Sequence, residues 1–575
     1  MRYGSDLIIE HLARLGIEVV TLNPGASIRG LHDSLVRGAG PQMLLALHEE
    51  IAVGIAHGYA KSAGKPAAVF VHDLVGLQHA SMAIFNAWAD AVPMLVVGGS
   101  GPRDAASRRP WIDWVHTGLP QGSLVRDFVK WDDEPGSLAA VPDSLNRGME
   151  IALRAPRGPV YVSLDVALQE CEAEGVTFPP PPLVQATTVA APREAVEAVA
   201  DALRTARHPV VVVDLPQRGL PAALVRLVDL TGADVIDLGG GANFPSTHEA
   251  NQTHRRREVL ERADLVVALD VRDLLWAVAE VDQATRRAVP VAGPDTVLVS
   301  VALSELQVRG FVSTRSYVPG ARNVVGDPVA LVEDLTRLLS ADGTPSGPSA
   351  ASKRQGGAAS VADARADFWA FARGHADSQE IHPAYLAACV WEAIQDGPWQ
   401  LANGRLDGWV QRLWDVSAED HFLGLSGGHG LGYGLPASLG AALARRGTGD
   451  LVVNLQGDGD LMYVPSALWT AARYRLPLLT IVQNNRSYGK DELHQTEVAR
   501  TRGRSEDVVG VGIHIDEPDV SYSQLAEAQG VTALGPVEEP AELSAVLAEA
   551  VRVVREERRP VLVDVVCPIP GSRTR

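Results

Sequence analysis

Cysteine is scarce in this sequence. The three cysteines, Cys171, Cys389 and Cys567, stand far apart in 575 residues, which excludes a disulfide framework and a cysteine-rich zinc site. No run of 18 or more apolar residues occurs, so no membrane-spanning helix is predicted. The N-terminus has the pattern of an amphipathic helix and not of a secretory signal. These absences predict a protein of the reducing cytoplasm without a membrane partner.

Basic residues are few relative to acidic ones. The 51 lysines and arginines against 70 aspartates and glutamates give a formal net charge of −19, which disfavours non-specific binding to nucleic acid. At roughly 150 residues per domain, the chain is long enough for about three or four domains. We therefore expect an acidic multidomain protein with no nucleic-acid partner.

Short apolar β-branched runs alternate with helical patterns along the chain. This pattern indicates an α/β fold whose parallel sheets have helices on both faces. It predicts three doubly wound domains at 1–175, 190–340 and 361–575, and a Gly/Ser/Ala/Pro-rich flexible linker at 341–360. The expected strands, in chain order, are Gln42–Leu47, Ala67–His72, Met94–Val97, Val160–Leu164, Val210–Val213, Asp234–Leu238, Leu265–Leu269, Val297–Val301, Leu451–Leu455, Leu478–Val482 and Val561–Val566.

The most informative motif begins at Leu451. Gly457-Asp458-Gly459 follows an apolar run, an amphipathic helix comes next, and Asn484-Asn485 ends the following apolar run. Parallel strands joined by a crossover helix bring Asp458 and Asn485 together at the carboxyl edge of a sheet. Their oxygens and a backbone carbonyl suit Mg²⁺, and glycine N–H groups beside a helix N-terminus suit a diphosphate.

This stretch resembles the diphosphate-binding motif of the thiamine diphosphate enzymes. The resemblance implies thiamine diphosphate as the cofactor and Mg²⁺ as its metal, bound by the side chains of Asp458 and Asn485 and by the carbonyl of Ser487. It implies cofactor contacts for four further residues, Gly457, Gly459, Asp460 and Tyr488. The family usually has a small neutral residue where this chain has Asp460, so we expect that carboxylate to point away from the diphosphate.

A second match lies in the first domain. His48-Glu49-Glu50 precedes a helix with apolar positions at 51, 52, 55, 56, 59 and 60. An acid at a helix start is also favoured by the helix dipole alone. The pyrimidine-binding domain of the thiamine diphosphate enzymes has a His-Glu pair followed by Gly-Tyr-Ala, as in Gly58-Tyr59-Ala60 here. The resemblance implies that Glu49 bonds to the aminopyrimidine ring and promotes deprotonation of the cofactor.

The resemblance covers nearly the whole chain. It implies a pyrimidine-binding domain, a middle domain and a diphosphate-binding domain, in that order, and Gly239-Gly240-Gly241 is expected to be a turn and not a nucleotide site. Asn23-Pro24-Gly25 looks most like benzoylformate decarboxylase and acetolactate synthase relatives. Cofactor contacts are implied for Asn23, Pro24, Gly25, Asn403, Gly404 and Leu431, and Leu431 is the bulky residue that props the bent cofactor.

Six residues are candidates for acid–base work beside the cofactor, namely Glu49, His72, His116, Gln121, Asp491 and Glu492. Benzoylformate decarboxylase has a histidine where His72 stands, and pyruvate decarboxylases have catalytic histidines near His116 and an acid near Asp491 and Glu492. The alternatives are structural histidines and solvated acids at a helix start. His429 is expected to be structural.

A cluster of basic residues and two differences from benzoylformate decarboxylase bear on the identity of the substrate. Arg486, Lys490, Arg500, Arg502 and Arg504 cluster after the cofactor motif, and the chain ends Arg573-Thr574-Arg575. Such a cluster suits the phosphates of coenzyme A, and a solvated loop is the alternative. Lys490-Asp491-Glu492 replaces apolar residues of benzoylformate decarboxylase, and no histidine occurs between Arg272 and Asp295, where that enzyme has its second one.

We predict a thiamine diphosphate- and Mg²⁺-dependent carbon–carbon lyase acting on a small molecule. The first expectation is a 2-hydroxyacyl-CoA lyase that forms a ketone or aldehyde and formyl-CoA. The alternatives are a 2-oxo acid decarboxylase and an acetolactate synthase-like carboligase, and, from another class, a non-catalytic cofactor binder. The retained Glu49 argues against the last. The resemblance implies a homodimer or homotetramer with each active site at a subunit interface.

Overall fold

The structure, a computed structural model, describes residues 1–38, 40–182, 188–282, 285–303, 318–341 and 360–568. In these ranges no helix has the length and apolar character needed to cross a membrane. Nearly all of the predicted linker at 341–360 lies outside the described residues, and so do Arg573 and Arg575.

The N-terminal domain contains a six-stranded parallel sheet with the strand order β2-β1-β3-β4-β6-β5. Its strands are β1 (Val19–Leu22), β2 (Gln42–Leu45), β3 (Ala67–Val71), β4 (Met94–Ser100), β5 (Asp132–Asp133) and β6 (Pro159–Asp165). Its helices are α1 (Gly4–Arg14), α2 (Arg29–Arg37), α3 (Glu49–Ala63), α4 (Leu74–Ala89), α5 (Ile112–His116), α6 (Val141–Leu153) and α7 (Val166–Glu170).

The middle domain contains a five-stranded parallel sheet with the order β13-β12-β9-β7-β8, and a small antiparallel pair of β10 and β11. Its strands are β7 (Pro209–Val213), β8 (Asp234–Asp237), β9 (Leu265–Leu269), β10 (Ala279–Val281), β11 (Ala288–Pro290), β12 (Val297–Ala302) and β13 (Arg322–Val325). Its helices are α8 (Arg193–Thr205), α9 (Leu220–Thr231), α10 (Arg256–Arg262), α11 (Leu274–Val278) and α12 (Pro328–Ala341).

The C-terminal domain contains a five-stranded parallel sheet with the order β14-β15-β16-β18-β17. Its strands are β14 (Trp399–Asn403), β15 (Leu451–Gly457), β16 (Leu478–Asn484), β17 (Thr532–Val537) and β18 (Val561–Val566). Its helices are α13 (Val361–Arg373), α14 (Pro383–Ile394), α15 (Trp409–Leu413), α16 (Gly434–Ala444), α17 (Asp458–Leu461), α18 (Ala467–Arg473), α19 (Gly489–Thr501), α20 (Tyr522–Ala528) and α21 (Pro540–Arg552).

The N- and C-terminal domains share one hydrophobic core around the helices α3 and α16. Apolar residues of both sheets belong to this core, for example Val69 of β3 and Val452 of β15. The two helices cross closely because glycine occupies the contact: a Cβ at Gly58 would lie 1.8 Å from the carbonyl oxygen of Ala437, and one at Gly440 would lie 2.0 Å from that of Ile55. This packing brings the start of α3 near the cofactor motif of the C-terminal domain.

The α/β fold class predicted from the sequence is confirmed, since parallel sheets flanked by helices make up all three parts. All eleven expected strands are present with ends shifted by a few residues. Strands that the sequence did not suggest include β1, β5, β13, β14 and β17. They are short, or they carry polar residues and, in β17, the Gly535-Pro536 pair, so their apolar pattern is weak. The exact domain limits stay predictions.

Candidate functional site

Asp458 lies where two neighbouring strands end. β15 and β16 pair in parallel, with Gly457 opposite Gln483, so Asp458 and Asn485 both lie at the carboxyl edge. Asp458 is 1% exposed. Its Oδ1 accepts a hydrogen bond of 2.8 Å from the Gly459 N–H, whereas its buried Oδ2 has no partner among the described residues. Burial raises the pKa of Asp458 to about 6, as expected for a carboxylate without a neighbouring cation.

The turn after β16 contains the other two expected metal ligands. The Asn485 Oδ1 accepts a hydrogen bond of 2.9 Å from the Ser487 N–H, and Arg486 between them has a φ of 55°, which closes the turn. The backbone N–H groups of Arg486 and Ser487 lie near enough to Asp458 to offset part of the rise in its pKa, although neither forms a hydrogen bond with Oδ2. The turn therefore lies against that carboxylate. An orphaned carboxylate oxygen beside amide and carbonyl oxygens fits a hard divalent cation such as Mg²⁺.

The surroundings of this turn leave room for a diphosphate. Gly457 is exposed, and among the described residues a Cβ there would meet nothing nearer than Asp460 at 4.0 Å. Gly459 is required because a Cβ would lie 2.6 Å from the ring of Tyr488. The Asp460 carboxylate accepts hydrogen bonds from the Gly432 N–H at 2.6 Å and from the Gln456 side chain. Asp460 is therefore turned toward the Gly432 loop.

Leu431 lies in a loop that is fixed to the N-terminal domain. Both the N–H and the carbonyl of Gly430 bond to the Asn86 side chain of α4, each at 3.1 Å. The Gly427 N–H donates to Oδ1 of Asp90 at 2.6 Å. With its neighbours held in this way, Leu431 remains 38% exposed, as a side chain that supports a cofactor must be.

Asn403 and Gly404 lie at the end of β14, beside β15. The buried Asn403 Nδ2 donates to Oδ1 of Asn454 at 3.0 Å and to the carbonyl of Leu455 at 3.1 Å. Gly404 has a φ of 94°, and a Cβ there would lie 2.2 Å from the Leu455 carbonyl oxygen. No larger residue fits this position, so the backbone at this edge can approach a ligand closely.

Glu49 is the first residue of α3 and is 5% exposed. Its Oε1 accepts a hydrogen bond of 3.1 Å from the Asn23 side chain, and its Oε2 lies 3.4 Å from Nδ1 of His79. A Cβ at Gly76 would lie 3.1 Å from Oε1. Asn23 of the Asn23-Pro24-Gly25 segment therefore contacts Glu49, and a histidine that the sequence did not single out joins it.

His72 follows the last residue of β3 and lies against the same segment. A Cβ at Gly25 would lie 2.4 Å from the His72 ring. The Ser27 N–H donates to Nδ1 of His72 at 3.4 Å, which makes this nitrogen an acceptor. The Ser27 Oγ, which accepts from the Asp73 N–H at 2.8 Å, therefore donates its own proton to the same nitrogen at 2.8 Å. Nδ1 is thus an acceptor, which assigns the proton of the neutral ring to Nε2.

His116 joins His72 in one cluster. The two rings lie 5.5 Å apart in an edge-to-face arrangement. Burial, and then the neighbouring His116, lower the pKa of His72, which favours its neutral form. The buried Nδ1 of His116 has no hydrogen-bond partner within the described ranges. Two imidazoles with unused ring nitrogens thus stand on the domain that carries Glu49.

Gln121 lies deeper in the N-terminal domain. Its amide donates to Oδ1 of Asp73 at 3.0 Å and to the carbonyl of Gly99 at 3.1 Å, and it accepts from the Tyr161 hydroxyl at 3.2 Å. Because the Gln121 amide nitrogen and oxygen both form hydrogen bonds inside this buried network, Gln121 holds the ends of the strands in position. This geometry gives no support to its expected acid–base role.

Glu492 and Asp491 occupy different environments on the first turn of α19. Glu492 is 2% exposed, accepts a hydrogen bond of 2.9 Å from the Ser487 Oγ, and lies 3.3 Å from Nε2 of His514. Asp491 is exposed. Glu492 therefore holds the turn that contains Asn485 and Ser487, a contact that the sequence did not suggest.

His79 and His514 lie beside the candidate site, and the sequence analysis did not single them out. His79 lies on one face of α4 with Met82 and Asn86, at helical spacings of three and four, and this periodicity could have drawn attention to it. A ring nitrogen of His79, a ring nitrogen of His48 and a carboxylate oxygen of Glu49 lie within 4.8 Å of one another. His514 comes from a distant loop that bridges to Ser487, and no local pattern marks it.

The basic cluster is partly neutralised. Arg500 pairs with Glu506 at 2.8 Å, and Arg486 pairs with Asp519 at 3.3 Å and with Glu538 at 3.6 Å. Lys490, Arg502 and Arg504 are exposed. The charge available to an anionic ligand is accordingly smaller than the sequence suggested.

A buried acid at a helix start and an oxygen-rich turn at the carboxyl edge of a parallel sheet form the arrangement expected of an enzyme site for a diphosphate cofactor. Residues 2–124 match the family described as "Thiamine pyrophosphate enzyme, N-terminal TPP binding domain", and residues 402–565 match "Thiamine pyrophosphate enzyme, C-terminal TPP binding domain". The chain belongs to the thiamine pyrophosphate (thiamine diphosphate) enzyme family, and it is an enzyme of the decarboxylase and acetolactate synthase group.

Similar proteins cover nearly the whole chain. Benzoylformate decarboxylase of Pseudomonas aeruginosa is 27% identical over 571 residues, which is 97% of each chain. Acetolactate synthase isozyme 3 large subunit of Escherichia coli is 24% identical over 602 residues, covering 98% of this chain and 95% of the relative. The solved structure of a 4-hydroxybenzoylformate decarboxylase from Rhodococcus jostii RHA1 has a TM-score of 0.79 at 22% identity, covering 99% of this chain and 100% of that one. This structural likeness supports the fold.

Proposed function

We propose that the protein is a thiamine diphosphate- and Mg²⁺-dependent 2-oxo acid decarboxylase, a carbon–carbon lyase. The observation that carries this proposal is the cluster of Glu49, His72 and His116 on the N-terminal domain. A buried carboxylate and two imidazoles supply a proton-transfer group and hydrogen-bond donors for a small carboxylate substrate.

The residues at the edge of the C-terminal sheet would hold the cofactor and its metal. The Asp458 and Asn485 side chains and the Ser487 carbonyl would bind Mg²⁺, and the glycines at 457 and 459 would admit the diphosphate. When bound, thiamine diphosphate supplies the electron sink that cleavage beside a carbonyl requires. Glu49 would exchange a proton with the aminopyrimidine ring.

His72 would bind the substrate. Its Nε2–H, assigned by the two donors on Nδ1, can donate to a carboxylate or carbonyl oxygen of a 2-oxo acid. His116 lies within 5.5 Å of that ring, measured between centroids, so it can contact the same substrate and exclude water from it. Departure of an uncharged CO₂ is favoured where the surroundings are apolar and no cation holds the carboxylate.

We further propose a homodimer or homotetramer whose active sites lie between subunits. Four large apolar side chains close to the site are exposed in the single chain: Leu47, Met82, Leu431 and Tyr463. Burial of these side chains by a second copy would complete the pocket and is worth about 25 cal/mol per Å² of apolar surface. Sedimentation velocity of the purified protein measures the assembly directly.

The 2-hydroxyacyl-CoA lyase predicted first from the sequence is the second candidate. The exposed Lys490, Arg502 and Arg504 favour it, since they can contact the phosphates of coenzyme A. The pairing of Arg486 and Arg500 with carboxylates counts against it.

One assay separates the candidates. Purified protein with thiamine diphosphate and Mg²⁺ is incubated separately with free 2-oxo acids and with 2-hydroxyacyl-CoAs, and the products are followed by mass spectrometry, with Glu49→Gln as the control. We expect CO₂ and aldehydes from the 2-oxo acids and no reaction of the thioesters. Formyl-CoA from the thioesters alone would establish the lyase, and acetolactate-type products from pyruvate would establish the carboligase.

A further inference from the structure

A separate cavity lies between the middle and C-terminal domains. It encloses about 250 Å³ and is lined by the segment after β8, by Trp276, by α13 and by residues 405–412. None of the cofactor-contact residues considered above lines it. Its volume is slightly below that of pockets for drug-sized ligands, about 300–1,000 Å³, so it suits a small molecule.

Positive charge dominates the lining of this cavity. Four guanidinium groups face one carboxylate, that of Asp237; the arginines are Arg256, Arg365, Arg405 and Arg412. Asp237 is already engaged, since its Oδ1 accepts from the Gly239 N–H at 2.8 Å and from the Asn243 side chain at 3.0 Å. The four arginines are half-buried, and in the described part of the chain none of them forms an ion pair with a carboxylate.

Two of these arginines have structural roles. Arg365 donates to three carbonyls at the end of α15, and the shortest of these bonds is 2.9 Å to Leu413. Arg256 donates to the carbonyls of Trp276 and Ala279 at the end of α11. A cation at the C-terminus of a helix complements the helix dipole, so both arginines stabilise the helix ends that they contact.

Toward the described residues, the other two arginines leave most of their donors unused. Within these ranges Arg405 makes one long hydrogen bond of 3.4 Å to the Leu238 carbonyl, and Arg412 makes one of 3.3 Å to the Asp407 carbonyl. A guanidinium has five N–H donors in a planar fork. This arrangement matches the two oxygens of a carboxylate or phosphate.

Several buried polar atoms around the same cavity lack partners. Both side-chain atoms of Gln411, Nε2 of His254 and Nε of Arg256 have no hydrogen bond to any described residue. The large majority of buried side-chain polar atoms have a hydrogen-bond partner. The unpartnered donors among these atoms, Nε2 of Gln411 and Nε of Arg256, therefore point to an occupant that supplies oxygens. Aromatic rings form the apolar wall, with Phe368 beneath Arg412 at 5.7 Å and Trp276 beneath Arg256 at 5.1 Å.

We propose that this cavity binds a small organic polyanion, a dicarboxylate or a phosphomonoester, between the middle and C-terminal domains. Arg405 and Arg412 hold its charged groups, Gln411 and His254 complete their hydrogen bonds, and its apolar part lies against Phe368 and Trp276. Because Arg405 also contacts Leu238 in the middle domain, the ligand stabilises the contact between the two domains. This site is distinct from the proposed catalytic one.

Calorimetric titration and thermal unfolding test this site in protein saturated with thiamine diphosphate and Mg²⁺, so that the diphosphate site is filled. The probes are succinate and phenyl phosphate, with acetate as a singly charged control at equal ionic strength. We expect a probe to raise the unfolding midpoint of the natural protein and to bind at least tenfold more weakly to the double variant Arg405→Gln/Arg412→Gln. Arg373→Gln is the matched control, because Arg373 lies on α13 but pairs with Glu392 outside the cavity, and it should bind like the natural protein.

The outcomes separate the two ligand classes and the alternatives. Tight binding of succinate alone assigns a dicarboxylate, and tight binding of phenyl phosphate alone assigns a phosphomonoester. If the double variant does not fold, Gln411→Leu, which removes both unpartnered amide atoms without a change of charge, takes its place and should also weaken binding. Equal binding of all probes to the natural protein and to the cavity variants, or no binding beyond that of acetate, would overturn the proposal.

Discussion

His79 joins the buried Glu49 carboxylate to solvent. Its Nδ1 lies 3.4 Å from Oε2 of Glu49, and its ring stacks on His48 at a centroid distance of 4.7 Å. The His79 side chain is 60% exposed, whereas that of Glu49 is 6% exposed. An imidazole in this position can pass protons between the carboxylate and water.

Glu49→Gln should retain cofactor affinity and lower kcat by roughly 10²–10⁴-fold, the usual contribution of a general acid–base group. His79→Gln should lower kcat less, because water can replace a relay but not the carboxylate itself. Cofactor binding by calorimetry, turnover, and the rate of exchange of the cofactor C2 proton by NMR separate the two effects. Near-normal turnover of Glu49→Gln would remove Glu49 from its proposed role, and an unchanged exchange rate in His79→Gln would remove the relay.

Asp458→Ala should abolish metal-dependent cofactor binding. The substitution removes the carboxylate whose Oδ2 has no partner in the described structure, and with it the one negative charge among the three expected ligands. We expect affinity to fall by more than roughly a hundredfold, since even groups behind metal ligands contribute roughly 10- to 100-fold. Titration of cofactor at several Mg²⁺ concentrations measures this. Asp450→Ala, at the opposite end of β15, is the control; equal affinities for both variants would refute the metal assignment.

Ser27→Ala should disturb the tautomer of His72. The substitution removes the hydroxyl that donates to Nδ1 and leaves the weaker bond from the Ser27 N–H at 3.4 Å. We expect kcat to fall by roughly ten- to a hundredfold, less than for loss of a whole acid–base group, with unchanged cofactor affinity. Proton-detected nitrogen NMR of the histidine rings reports the tautomer, and an unchanged Nε2–H signal together with unchanged kcat would contradict the assignment.

Glu492→Gln tests whether the acid braces the metal turn or transfers protons to substrate. Because Glu492 is bonded to the Ser487 hydroxyl and lies beside His514, we expect Mg²⁺ affinity to fall by roughly 10- to 100-fold and turnover to recover at saturating Mg²⁺. Glu497→Gln on the same helix is the control. A fall in kcat that excess Mg²⁺ does not restore would instead support the catalytic role predicted from the sequence.

Local sequence patterns sufficed for the parts of the site that depend on neighbouring strands. The apolar runs before Asp458 and Asn485 predict adjacent parallel strands, and the pairing of β15 with β16 follows. The helix after His48 likewise fixes Glu49 at its first turn. Both inferences need only the periods of strand and helix.

Contacts between distant segments could not be predicted in the same way. The sequence did not predict β14 because Gln400 interrupts its apolar pattern. Gln400 is nevertheless buried, and its Oε1 accepts a hydrogen bond of 2.7 Å from the hydroxyl of Ser62 on α3, in the N-terminal domain. His514 reaches Glu492 only because its loop bridges to Ser487. Such contacts depend on the packing of segments that are distant in the sequence, and they leave no periodic pattern in it.

Glu50 and Asp460 flank Gly432 and make stability depend on pH. A Cβ at Gly432 would lie 2.3 Å from Oε1 of Glu50, and Asp460 bonds to the Gly432 N–H. Burial, and then repulsion by Asp460, raise the pKa of Glu50 from 4.5 to about 7. The folded state therefore binds this proton more tightly than the unfolded state, so stability falls as pH rises from about 4.5 through 7.

Glu50→Gln removes the loss of folding stability that ionisation of Glu50 causes as pH rises, because the amide stays neutral at every pH. In the cofactor-free protein, we expect the variant to unfold at nearly the natural midpoint at pH 5 and at a higher midpoint at pH 8. Scanning calorimetry from pH 5 to 8 measures the difference, and Glu194→Gln, at an exposed position on α8, should follow the natural protein throughout. If the midpoint of Glu50→Gln falls between pH 5 and 8 as steeply as that of the natural protein, Glu50 is not the group that titrates at this contact between the domains.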